Sequence, residues 1–251
     1  MSHDADTWEK LRRLTRARIG LGRAGDGLPT KALLDFQMAH AKARDAVHGA
    51  ADFDRIAVDL APREVIRLAS AVPDRPTYLR RPDLGRRLAD GEAEKLPAGP
   101  CDVVFVIADG LSAAAVDANA VATLEATARR LEGLSIGPVV LAREARVALG
   151  DVVGAAMNAA VVAVLIGERP GLTAADSLGV YLTFHPVPGR KDAERNCLSN
   201  IHAHGMSPDE AGHKLAWLIR EALRLKSTGV GLKEAAPKFA VGESGAGPRI
   251  A

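Results

Sequence analysis

Cys101-Asp-Val-Val-Phe-Val-Ile-Ala-Asp-Gly-Leu-Ser112 is the stretch that decides the fold. Within it Val103–Ala108 is an unbroken apolar run, rich in β-branched residues, between Pro100 and Asp109-Gly110. So short a run without polar alternation predicts a strand buried on both faces, as in a parallel sheet. Ser112 offers an N-cap, and the roughly twenty Ala-rich residues after it predict a helix. The alternation then repeats. Pro138–Ala142 predicts a strand, and Asp151 caps a predicted helix over 152–159. Val161–Ile166 is a third buried strand and Leu178–Phe184 a fourth. Ser207-Pro208 opens a last helix to about 226, with proline in its first turn. Strand and helix in alternation predict an α/β fold with a parallel sheet and helices on both faces.

Upstream of the first strand the texture is helical. Residues 7–19 predict a short helix carrying Trp8, Leu11, Leu14 and Ile19, and a glycine-rich loop follows over 20–29. Thr30 caps a predicted helix over 31–48, and a further apolar helix is expected over 63–71. Residues 73–87 hold Pro73, Pro76, Pro82 and five arginines, which predicts an extended, ordered loop leading into a short helix. The organisation expected is therefore a helical, arginine-rich docking region over 1–95, an α/β domain over 96–232 and a flexible tail over 233–251.

Composition narrows the function. The chain has 251 residues and a net charge of +2, too small to argue for nucleic acid. Its two cysteines, Cys101 and Cys197, suggest no oxidised framework. No apolar run reaches the ~18 residues of a membrane span. The opening residues are polar rather than a secretory signal, so a cytoplasmic protein is expected. Arg12, Arg13, Arg16, Arg18 and Arg23 crowd the start and suit docking on an acidic partner.

In parallel sheets ligands sit beyond the carboxyl ends of the strands. That points to 109–112, 142–147 and 167–171, with the 185–204 loop closing over them. Gly167-Glu168-Arg169-Pro170-Gly171 is the most unusual stretch, a charged pair at the end of an apolar strand between glycines that let the backbone approach a ligand. Arg143, Glu144 and Arg146 end the second strand, either binding a polar ligand or pairing with one another. Other motifs have bland alternatives. Gly20-x-Gly22-x-x-Gly25 has the dinucleotide spacing but follows no strand, so a loop of positive-φ glycines is favoured. Gly110-Leu-Ser112 resembles a nucleophile elbow, with Asp176 and His185 or His202 in the order a Ser112-dependent hydrolase needs; an N-cap role for Ser112 is favoured. Cys197, His202 and His204 fit no standard zinc spacing, and no metal site is expected.

Six strings taken together resemble the small subunit of adenosylcobalamin-dependent ethanolamine ammonia-lyase. They are Leu11-Arg-Arg-Leu-Thr-Arg-Ala-Arg-Ile19, Gly22-Arg-Ala-Gly25, Tyr78-Leu-Arg-Arg-Pro-Asp-Leu-Gly-Arg-Arg-Leu88, Ile107-Ala-Asp-Gly-Leu-Ser112, Gly167-Glu-Arg-Pro-Gly-Leu172 and Arg195-Asn-Cys-Leu-Ser-Asn-Ile201. The resemblance implies a Rossmann-like, cobalamin-binding domain over 96–232 that covers one face of the corrin. A large (β/α)₈ subunit would hold ethanolamine and carry its radical conversion to acetaldehyde and ammonia. It implies cobalamin contacts at Val147, Glu168 and Cys197, with Asp109, Arg146 and Gly167 as neighbours and no catalytic acid or base in this chain. It implies an assembly of six large and six small chains, inactive without the large subunit, in the cytoplasm or a bacterial microcompartment. Relatives often carry a longer N-terminal extension linked to encapsulation, whereas ten residues precede Leu11 here. No Asp-x-His-x-x-Gly occurs, so adenosylcobalamin is expected base-on, without a protein histidine on cobalt. The competing expectation is a non-catalytic Rossmann-like protein that docks a partner.

Overall fold

A computed structural model, describing residues 3–237 and 239, gathers the apolar runs into one six-stranded sheet. The strands are β1 (Val65–Ala69), β2 (Cys101–Ala108), β3 (Val139–Arg143), β4 (Ala159–Gly167), β5 (Leu178–Phe184) and β6 (Asn196–Ile201), in the order β1-β3-β2-β4-β5-β6. The helices are α1 (His3–Leu14), α2 (Thr30–His48), α3 (Phe53–Asp59), α4 (Arg75–Arg80), α5 (Ala113–Ala128), α6 (Leu149–Ala156) and α7 (Pro208–Leu225).

The period of two along the strands separates two cores. Val103, Phe105 and Ile107 of β2 face one side with Val161, Ala163 and Leu165 of β4, under α3, α5 and α7. Val104, Val106 and Ala108 face the other side with Val162 and Val164, under Leu149 and Val153 of α6. Both faces of β2 are sealed, which is why its sequence shows no alternation. The α/β class, helices on both faces and helical N-terminal region stand as expected.

Several features differ from the sequence reading. Residues 63–71, expected as helix, contain β1, which pairs in parallel with β3 from Val65↔Val139 to Ala69↔Arg143. The parallel character also stops at β4: β5 runs antiparallel to it and β6 antiparallel to β5. Residues 168–177 form no helix, and a connection that short returns a strand antiparallel, since parallel crossovers need a dozen or more residues. Within the covering loop expected over 185–204, β6 forms the sheet edge.

The helix ends follow local chemistry. Ser112 Oγ accepts from Ala115 N at 3.1 Å, and Ser207 Oγ from Glu210 N at 3.2 Å, with Pro208 in the first turn. At α2 Pro29, not Thr30, occupies the cap position, and no side chain caps the helix. Asp151 lies inside the first turn of α6, which begins earlier than expected.

The N-terminal helices are barely covered. Of the nineteen residues of α2 only Ala46 is buried, and Trp8, Leu14, Leu34, Phe36 and Met38 are all exposed. Three of the early arginines bind this chain itself. Arg12 donates to the carbonyls of Ile19 and Gly20, Arg13 pairs with Glu9, and Arg18 donates to Leu172 O at 3.3 Å. No helix among the described residues is long and apolar enough to cross a membrane. Of the tail expected to be flexible, residues 238 and 240–251 lie outside the described residues.

Candidate functional site

The carboxyl ends of β2 and β4 and the segment after β3 open on one crevice of about 420 Å3. Gly110 and Leu111 line it from β2, Arg146 and Val147 from β3, and Gly167, Glu168 and Arg169 from β4, with Tyr181 of β5 across from them. Backbone contact sets this geometry. Leu111 N donates to Gly167 O at 2.9 Å, and Gly110 turns with φ +59°. A Cβ on Gly167 would stand 2.1 Å from Ser112 O and 2.7 Å from Asp109 O. Gly167 is thus glycine because two turns of its own chain meet there.

Behind the lining lies a charged network. Asp109 is 2% exposed; its Oδ2 accepts from Glu144 N at 3.1 Å and its Oδ1 from Gly110 N at 3.0 Å. Arg75 Nη1 donates to Glu144 Oε2 at 3.0 Å and stands 4.0 Å from Asp109. Burial, then the neighbouring Glu144 carboxylate, push the Asp109 carboxyl up to about 6. The guanidinium carbons of Arg75 and Arg146 lie 4.7 and 4.1 Å from the Tyr78 ring centroid, and Tyr78 Oη donates to Ala145 O at 2.9 Å. Arg146 Nη2 donates to Tyr78 O at 3.1 Å, while its buried Nε has no partner among the described residues. Gly85 O accepts from Arg146 N at 2.8 Å. The proline- and arginine-rich loop therefore packs on the end of β3 and holds it, with α4 inside it.

Glu168 reaches across the start of β5. Its Oε2 accepts from Ser177 Oγ at 2.6 Å and from Asn200 N at 3.3 Å, and a Cβ on Gly179 would stand 2.9 Å from Oε1. Oε1 accepts no hydrogen bond among the described residues. Cys197 is exposed on β6 and pairs across strands with Tyr181. Burial pushes the Tyr181 phenol above its ordinary value. Of the residues expected here, Val147, Glu168, Arg146 and Gly167 meet in the crevice. Cys197 lies one strand beyond its edge, behind Tyr181, and Asp109 is enclosed beneath the turn. Tyr181 and Arg75 had not been singled out. Tyr181, the one large polar ring in an apolar strand, was the available signal.

The family model for ethanolamine ammonia-lyase light chain (EutC) matches residues 5–233. The chain belongs to this family. It is 53% identical over 232 residues to a protein of Bradyrhizobium diazoefficiens named ethanolamine ammonia-lyase small subunit, covering 89% of each chain. A Xanthomonas campestris pv. campestris protein of the same name is 52% identical over 248 residues, covering 94% of this chain and 91% of its own. A third, from Pseudomonas syringae pv. tomato, is 49% identical over 242 residues, covering 92% and 84%.

Within this light chain the remaining motifs are structural. Ser112 is fully buried; its hydroxyl donates to Ala175 O at 2.7 Å as well as capping α5, and neither His185 nor His202 is among its partners. That geometry is the N-cap role the sequence favoured for Ser112. Gly20, Gly22 and Gly25 all have positive φ, in a loop after α1 rather than after a strand. His202 is buried and pairs through Nε2 with Asn200 Oδ1 at 2.8 Å. Among the described residues no three His, Cys, Asp or Glu side chains are grouped to hold a metal. Arg195, also in the quoted strings, is buried with Asp151: Nη1 and Nη2 donate to its two oxygens, each at 2.6 Å. Arg195 Nη2 also donates to Arg190 O at 3.0 Å, which anchors the 190–192 turn.

Proposed function

We propose that this chain is the small subunit of an ethanolamine ammonia-lyase and holds one face of adenosylcobalamin at the carboxyl edge of its sheet. A larger catalytic subunit would bind ethanolamine and complete the conversion to acetaldehyde and ammonia. The observation that carries this reading is the meeting of Arg146, Val147, Gly167 and Glu168 in one crevice at the strand ends. A corrin is rimmed by primary amides, each both donor and acceptor. Arg146 and Glu168 both line the crevice, and Glu168 Oε1 accepts no hydrogen bond among the described residues, so the residues present suit such a rim. A crevice of this size takes only part of a corrin, in keeping with a cofactor shared between two chains.

When bound, adenosylcobalamin supplies the hydrogen-abstracting chemistry. This chain orients and shields. Val147 offers an apolar contact, and Glu168, fixed by Ser177 and the Asn200 amide, presents an aimed acceptor. The Gly110–Gly167 contact keeps the floor rigid. The exposed apolar side chains of α1 and α2 support a large partner, since so many uncovered on one arm are unusual for a free chain.

Reconstitution tests the proposal. The chain is co-expressed with the large subunit, supplied with adenosylcobalamin and ethanolamine, and acetaldehyde is followed by a coupled dehydrogenase. Turnover requiring both chains and the cofactor is expected; a well-formed complex that neither retains cobalamin nor turns over refutes it. Glu168→Ala is expected to weaken cobalamin retention by the complex without unfolding it, and unchanged retention counts against the crevice.

A further inference from the structure

Beside the crevice, and sharing Arg146, Val147 and Tyr181 with it, lies a second depression of about 490 Å3. Arg86, Arg146, Arg190 and Lys191 line it, against the single carboxylate of Asp192. Arg190 is occupied: it donates to His185 O and pairs with Glu194. Asp192 is turned partly toward Arg195, 3.5 Å away. Arg86 and Lys191 are exposed, and neither side chain makes a hydrogen bond or ion pair among the described residues. Through Arg86 and Lys191 the depression therefore presents unpaired donors and net positive charge. Mutual repulsion disfavours such a grouping unless an anion completes it.

Both walls are held in place. Gly85 O accepts from Arg146 N, which fixes the turn bearing Arg86. The buried Arg195–Asp151 pair grips Arg190 O, which fixes the turn bearing Lys191. The charges thus sit on anchored backbone with free ends, the arrangement that lets an arginine fork and a lysine ammonium close on oxygens of an anion.

We propose that this depression is a phosphodiester subsite: Arg86 and Lys191 bind the phosphate of the cobalamin nucleotide loop while the adjoining crevice takes the corrin face. This rests on the cobalamin reading above. A phosphodiester carries one negative charge on two non-bridging oxygens, which suits two unpaired cations lining one depression. The same residues would also hold free inorganic phosphate, so the test separates the two sources.

The test uses the complex with the large subunit, wild type against the Arg86→Gln/Lys191→Gln double variant. Equilibrium binding, read from corrinoid absorbance, is measured for cobalamin, for cobinamide (no phosphate, no base) and for cobinamide phosphate (phosphate restored, base absent). Both substituted side chains are exposed and unpartnered, so thermal unfolding of the two complexes is expected to coincide. The substitution is expected to weaken cobalamin and cobinamide phosphate by about tenfold or more, the effect of losing hydrogen bonds to a charged group, and to leave cobinamide within twofold. Equal loss for all three corrinoids overturns the subsite, as does no loss for any. Loss for cobalamin alone also overturns it, because the contact would then be with the base. If inorganic phosphate raises the unfolding temperature of the wild-type complex but not of the variant, while corrinoid affinities are unchanged, the site takes free phosphate and the cofactor assignment fails. Failure of the cobalamin reading looks different: the wild-type complex then binds none of the three.

Discussion

Replacing Asp151 with Asn isolates the most buried carboxylate among the described residues. Asp151 and Arg195 side chains are each 1% exposed and meet through two parallel hydrogen bonds of 2.6 Å. Thr183 Oγ1 accepts a further bond from Arg195 Nη1 at 2.8 Å, and Arg190 O one from Nη2 at 3.0 Å. Asparagine keeps the shape but removes the negative charge and turns one acceptor into a donor facing a donor. The guanidinium cannot shed its proton, so it is left charged and buried. Breaking one partner of such a pair costs about 3–5 kcal/mol. For a chain of this length that lowers the midpoint by roughly 10 °C. Urea unfolding of the full chain, followed by far-ultraviolet circular dichroism, measures the loss directly, with an unchanged slope expected. A double variant, Asp151→Leu with Arg195→Met, removes both charges and is expected to recover most of the stability. A loss under about 1 kcal/mol for Asp151→Asn would refute the reasoning, because water would then be reaching Arg195.

Three further outcomes follow from the site. The Asp109 carboxyl titrates at about 6 in the fold against 3.8 as a free side chain, so the folded state binds more protons between those values and stability falls as pH rises through that window. The total is about 3 kcal/mol, and the difference between wild type and Asp109→Asn, measured by urea unfolding from about pH 4 to pH 7, is expected to carry it; parallel curves would show that the carboxyl is not desolvated. Gly167→Ala puts a Cβ against Ser112 O and is expected to destabilise by about 1–3 kcal/mol and to lower cobalamin retention, read by urea unfolding and by gel filtration of the loaded complex. Ser112→Ala removes the cap of α5 and is expected to cost about 1–2 kcal/mol by the same unfolding assay, leaving turnover by the complex intact.

Much of this architecture is written locally. Val103–Ala108 and Val161–Ile166 are legible as central strands because burial on both faces leaves no polar alternation to confuse. Ser112 and Ser207-Pro208 are legible because capping is decided within three residues. β1 was hidden because a run as short as Val65-Ile-Arg-Leu-Ala69 suits a helix face equally well, and its pairing with β3 depends on residues some seventy positions away. β6, Asn196–Ile201, was hidden because an edge strand with one open face mixes polar residues with only two buried apolar ones, Leu198 and Ile201. The crevice was legible from the strand-end rule, which pointed to 109–112, 142–147 and 167–171; the family resemblance then singled out Val147 and Glu168 within those segments. The partnership of Asp151 with Arg195, and of Arg75 with Asp109 and Glu144, was not. Those pairs join residues more than thirty positions apart, and only the folded register brings them together.

The strand order also sets a timetable. Because β1 lies at the sheet edge and pairs only with β3, Val65 waits for Val139, a gap of roughly 70 residues or on the order of 4–15 s at ordinary rates of synthesis. During that interval β1 lacks the strand it pairs with in the finished sheet, and its apolar residues stay uncovered. The walls of the cationic depression assemble later still, since Arg86 has been made long before Lys191 emerges to face it. A ribosome pausing within that span would display a half-built sheet with its ligand edge open.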